Sequence, residues 1–175
     1  MSQAENKPAS DESSEILALR ERLRKPFQGT LESLAESRGL TLREVVDCLP
    51  SDLQRSVPGH RFEDVIKHVS TWGDVMIIVV TADGVFECKA PICEGSLGSG
   101  YYNLGGASAF SGHIRSERCS IIYFIKRQFH KKETCSIQFF NEEGSCMFKI
   151  FVGRDADGEL RSEQVKLFNE LAGNQ

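Results

Sequence analysis

Tyr101, Tyr102, Asn103, Phe110 and His113 bring phenol, amide, arene and imidazole together within thirteen residues of one stretch, LGSGYYNLGGASAFSGHI, residues 97–114. Six of the chain's fifteen glycines fall from Gly95 to Gly112, and glycine lets backbone take positive φ or approach a ligand closely. That density exceeds the needs of one turn and suits contact with something flat and large. Tyrosine and histidine both serve as axial ligands of haem iron. The same residues also read as a glycine-rich hairpin connection, with tyrosines packed on a sheet and a half-buried histidine.

A second candidate is Lys149, a lone cation among apolar neighbours in a segment, residues 146–152, that alternates as a strand. Such an ammonium needs an anion or water, or it snorkels to the surface. Enzyme signatures are absent: there is no GxSxG, no GxxxxGK[ST] phosphate loop and no HExxH. Cys119 follows His113 by six residues, which leaves a cysteine hydrolase open, although a thiol on an apolar strand is more often inert. The six cysteines form no CxxC pair, which argues against a zinc or redox site. His60 and His68 read as surface histidines, since neither has a second ligating residue at helical spacing.

The elements that position these groups follow from periodicity. Residues 1–13 read as a polar, disordered leader. Residues 14–175 read as a single domain, helical over 14–56 and sheet-rich over 57–175. Helices are expected over 15–24, 30–37 and 41–49, the last opened by a capping box of Thr41 and Glu44 and closed by Pro50. Gly39 turns between the last two. Residues 57–59 read as a turn, and Phe62, Val65, Ile66 and Val69 as a helix face. Strands are expected over 74–81 and 85–90, joined by an Ala82-Asp83-Gly84 turn and buried on both faces, then over 119–129, 134–140 and 146–152 as an antiparallel meander. A terminal helix from Ser162 uses Val165, Phe168, Leu171 and Ala172 as its inner face.

Charge narrows the partners. The formal charge of −4 offers no global attraction to nucleic acid. Residues 30–46 have helix-turn-helix spacing, but the second helix and its exit carry Arg43 against Glu44, Asp47 and Asp52, so a DNA-binding regulator is the minor alternative. The polar, acidic N-terminus has no signal-like apolar core, and no apolar run approaches a membrane span, so a cytoplasmic protein is expected.

TLREVVDCLP, VPGHRF, TWGD with VVTAD, GYYNL, SGHI, FFNEEGSCMFKIFVGRD and SEQVKLF, in this order and spacing, resemble the HutX/ChuX family of cytosolic haem carriers. The likeness runs over residues 30–172. It implies an α+β fold, a large antiparallel β-sheet flanked by short N-terminal helices and a C-terminal helix, similar to one half of HemS/ChuS-type proteins. It also implies a homodimer that receives haem and passes it to a haem-degrading or haem-using partner, with haem breakdown by the same site as the alternative. Carried onto this chain, Tyr101 is the expected iron ligand, His113 the competing or additional one, and Tyr102 a neighbouring contact. Some relatives carry a histidine where this chain has Val80, which weakens a two-histidine arrangement. Phe110, Ile122, Phe124, Phe139 and Phe151 are candidate porphyrin walls, and Arg115, Lys126, Arg127 and Lys149 candidate propionate partners.

Overall fold

The computed structural model describes residues 9–173, with side chains from residue 14. Helix α1 runs over Ala9–Leu23 and so begins inside the stretch expected as a leader; residues 1–8 of that stretch lie outside the described residues. Helices α2, Leu31–Arg38, and α3, Leu42–Asp47, follow. Thr30 caps α2 through its hydroxyl, and Gly39 closes it in the left-handed region. Thr41 and Glu44 make the reciprocal capping box that their spacing anticipates. Each of these ends satisfies backbone groups that a short helix cannot pair internally.

The main sheet has six antiparallel strands in the order β1-β7-β8-β9-β2-β3. They are β1 Gln54–Pro58, β2 Asp74–Thr81, β3 Gly84–Pro91, β7 Cys119–Phe129, β8 Lys132–Asn141 and β9 Cys146–Phe151. The β2–β3 hairpin and the β7–β8–β9 meander agree with the periodicity. Strand β1 does not, because residues 57–59 were expected as a turn. The segment QRSVP has too few apolar residues to announce a strand, and pairing with β7 makes it one. Pro58, lacking an N–H, ends the ladder at the sheet edge. The next residue, Gly59, must be glycine: a Cβ there would lie 1.8 Å from the Cys119 carbonyl oxygen.

Alternation along β7 splits the interior into two cores. Ile122 and Phe124 face one way, joining Ile137, Phe139, Phe148 and Ile150 beneath helix α4, Phe62–Val69, and helix α5, Ser162–Gly173. Tyr123 and Ile125 face the other way with Phe140, covered by Leu19, Leu23, Leu31, Val45 and Val46 of α1–α3. Each fully buried large apolar side chain contributes about 1.5–3 kcal/mol relative to exposure. A register shift between the Phe139 and Phe140 pairings turns Cys146 to the second core and Met147 towards the first, so the strict alternation expected for 146–152 breaks at its start.

Two further points depart from the sequence reading. The β2–β3 hairpin is not buried on both faces: Val85 is 61% exposed on the side where the second core includes no residue of either strand, and Phe86, at the turn end of the other face, is 64% exposed. Gln164 in α5 is buried where an apolar residue would be usual. Its amide donates to the carbonyls of Trp72 and Asp74 and accepts from the Gly153 N–H, stitching α5 to both segments.

Candidate functional site

The glycine-rich stretch folds as a separate three-stranded antiparallel sheet, β4 Ser96–Gly98, β5 Tyr101–Leu104 and β6 Gly112–Ile114. Ser99 and Gly100 form the two-residue turn between β4 and β5 with φ of 53° and 78°. Both central residues of a type I′ hairpin need positive φ. The period of two then sorts β5 cleanly. Tyr102 and Leu104 face inward onto the first core, while Tyr101 and Asn103 face outward.

On that outward face Asn103 pairs with His113 across the strands. The Asn103 Nδ2 lies 3.1, 3.1 and 3.2 Å from the carbonyl oxygens of Ser96, Gly98 and Tyr101. Those three acceptors fix which end of the amide is nitrogen. Its Oδ1 therefore faces the imidazole, 2.7 Å from His113 Nδ1, so Nδ1 carries the proton and Nε2 is left with a free lone pair. His68 shows the opposite tautomer: its Nδ1 accepts the Trp72 indole N–H at 3.0 Å, and it is half-buried rather than a free surface histidine.

Tyr101 stands beside His113 with ring centroids 6.1 Å apart. Arg115, just beyond β6, donates from Nη2 to the Tyr101 hydroxyl at 3.4 Å and lies 5.6 Å from its ring centroid. Accepting that hydrogen bond, Tyr101 raises the Arg115 pKa above its ordinary value. The face thus presents a phenol oxygen, an imidazole nitrogen and a cation together. Because phenol and imidazole project from the same side of one sheet, they offer a metal one ligand or the other rather than two opposed axial ligands.

The remaining expected residues are elsewhere. Tyr102, expected as a contact, is 2% exposed; its hydroxyl accepts from the Gly95 N–H at 2.9 Å and its ring packs edge-on against Phe62. Burial raises its pKa. Adjacent residues on a strand cannot share a face, so one of the two tyrosines had to be core. Lys149 is also away from the Tyr101 face: it sits in the main sheet, 6% exposed and paired with Glu32 of α2. Its anion is internal. Phe110 is half-buried against the first core. Ile122, Phe124 and Phe139 are 0%, 2% and 0% exposed within the core. Phe151 is half-buried in β9. Lys126 lies over the Phe168 ring, and Arg127 donates to the Gly29 carbonyl. Val80 lines a cleft of about 260 Å³ with Glu32, Ile78 and Lys149, where its side chain supplies no ligand.

Two alternatives lose their footing. Cys119 is 7% exposed and burial pushes its thiol up to about 11, so it is protonated and unreactive at neutral pH. Helix α3, the supposed recognition helix, has Val45 and Val46 fully buried, and Asp47 at its end accepts a hydrogen bond from Tyr123 of the main sheet. Asn103 is the residue to which the sequence reading assigned no task. Its signal was available: it shares the period-two face of Tyr101.

Comparison with known proteins agrees with this architecture. The intracellular heme transport protein HutX of Vibrio cholerae is 33% identical over 140 residues, covering 79% of this chain and 72% of that protein. The solved structure of the heme binding protein ChuX is 45% identical, with a TM-score of 0.82 over 89% of this chain and 97% of that one. Apo-PhuS, a heme-binding protein from Pseudomonas aeruginosa, is 13% identical with a TM-score of 0.75. There the likeness is one of fold: 97% of this chain covers 50% of PhuS, as expected for a chain equivalent to half of a larger protein. The sequence pattern described as Haem utilisation ChuX/HutX matches residues 55–171, from strand β1 through helix α5, and this chain belongs to that family.

Proposed function

We propose that this protein binds haem in the cytoplasm and carries it to a haem-degrading or haem-using partner without transforming it. The observation that carries the reading is the outward face of the small sheet, where Tyr101, His113 and Arg115 stand together. A phenolate oxygen is a hard ligand suited to ferric iron, and Arg115 is placed to offset the charge left on that oxygen. A single ligand from one side suits a carrier, which must release its cargo. Reduction to ferrous iron weakens a hard-oxygen bond and favours release or transfer to His113 Nε2. The ChuX and HutX relatives, described as heme binding and intracellular heme transport proteins, support the same reading.

A homodimer belongs to the proposal. Val85 and Phe86 on the edge strand β3, and Leu97 on β4, are each more than 60% exposed, and a two-fold partner would cover such residues. Titration of the purified protein with ferric haem tests the whole reading. The expected result is a saturable shift of the Soret band at one haem per chain, with the band surviving reductant in air. No saturable shift would refute haem binding; stoichiometric loss of the band with carbon monoxide release would make the protein an enzyme. Sedimentation at tens of micromolar tests the dimer, and a monomer both with and without haem would contradict it.

A further inference from the structure

Arg127, on the same side of β7 as Tyr123 and Ile125, is a half-buried cation. Its guanidinium lies 4.9 Å from the Phe27 ring centroid and 5.6 Å from that of Phe129, and Nη2 donates to the Gly29 carbonyl at 2.8 Å. None of the ion pairs among the described residues includes it. Burial lowers its pKa, with Glu32 acting in the opposite direction, and Glu32 is already committed to Lys149. A guanidinium stays charged and has five N–H donors, and a charge taken partly out of water is normally paired. Among the described residues this one has a carbonyl and two arenes, and no carboxylate within ion-pair distance.

The same guanidinium lines an open cleft of about 800 Å³, bordered by the α1–α2 connection, the α3–β1 connection and the end of β7. Leu23, Phe27, Leu49, Pro50 and Leu53 form apolar walls, and Arg24 and Lys25 add positive charge at the rim against a single acid, Asp52. Its lining holds no tyrosine, histidine, cysteine or methionine, and so nothing to ligate iron. We propose that this cleft is a second ligand site, separate from the Tyr101 face, which takes an apolar ring compound bearing an oxyanion, with the oxyanion on Arg127 and the rings against Phe27 and Leu53. The proposal does not depend on the haem reading.

Fluorescence titration of the full chain with 8-anilinonaphthalene-1-sulfonate tests it, since that probe joins an apolar ring system to one oxyanion. Saturable binding of one probe per chain is expected. Arg127→Gln should weaken it at least tenfold, the scale of one charge-assisted hydrogen bond. Lys25→Glu, an exposed change that leaves the core intact, should weaken it severalfold, and it decides the matter should Arg127→Gln fail to fold. Tyr101→Phe should leave probe binding unchanged. Absence of saturation, wild-type affinity in Lys25→Glu, or loss of binding in Tyr101→Phe would each overturn the proposal.

Discussion

On the small sheet Tyr101 presents its phenol outward beside Arg115, whereas Tyr102, one residue along, and Tyr123 of the main sheet bury theirs. The charged groups divide the same way. Arg115 is exposed and meets the Tyr101 hydroxyl and ring, while Lys149 is buried beside α2 and paired with Glu32. In the main sheet the buried side-chain polar atoms have internal partners, Gln138 Oε1 excepted, among the described residues. On the outward face of the small sheet, partners orient the groups without consuming them: Asn103 holds His113 by Nδ1 and leaves Nε2 free. Chemistry-bearing residues serve stability in one region and remain available to a ligand in the other.

The adjacent tyrosines give the largest test of that contrast. Tyr102→Ala removes a buried ring that packs on Phe62 and should cost about 3–5 kcal/mol in urea unfolding. Tyr101→Ala should stay within about 0.5 kcal/mol of the parent. Equal losses would erase the distinction between the two faces.

Breaking the internal ion pair should cost nearly as much. Lys149→Met leaves the Glu32 carboxylate uncompensated, and the expected loss is about 3–5 kcal/mol. The double variant Glu32→Leu/Lys149→Met should recover most of it. Haem absorption spectra should be unchanged in the double variant; a stable double variant that no longer takes up haem would move the ligand site to the main sheet.

At the proposed site the effect is on ligand rather than fold. Tyr101→Phe should abolish a high-spin ferric tyrosinate-type spectrum and speed haem loss by about tenfold or more, equivalent to about 1.4 kcal/mol. His113→Ala should keep the spectral class and weaken binding less. The reverse pattern would make His113 the ligand and Tyr101 a packing group. Asn103→Leu should act more gently still, by mixing the imidazole tautomers, which nitrogen-15 shifts of His113 would report directly.

The effect confined to the most extreme conditions is alkaline. Burial first, then the hydrogen bond to Asp47, pushes the Tyr123 phenol up to about 12, against an ordinary value of about 10. The folded chain therefore holds a proton that the unfolded chain has released, and stability present below pH 10 falls as pH rises towards 12. Tyr123→Phe should flatten that part of the stability profile. An unchanged slope would mean that Tyr123 ionises as freely as an exposed phenol.

Local spacing determined much of this protein by itself. The Gly39 turn, the capping box of Thr41 and Glu44, the α4 face and the β2–β3 and β7–β8–β9 hairpins were legible, because each depends on residues a few positions apart. The order of motifs carried the family, and the period of two along Tyr101–Leu104 already required the two tyrosines to face opposite ways. Other features required the assembled chain. Strand β1 exists because β7 supplies its partner. Lys149 found its anion 117 positions away, in a helix whose docking no spacing announces. Ile122, Phe124 and Phe139, among the residues expected to wall a haem slot, lie in the core, and the outer edge of the β2–β3 hairpin was left bare. The physical reason is common to all four: hydrophobic periodicity says that a side chain seeks cover, whereas the identity of the covering surface is set only when distant segments compete for it.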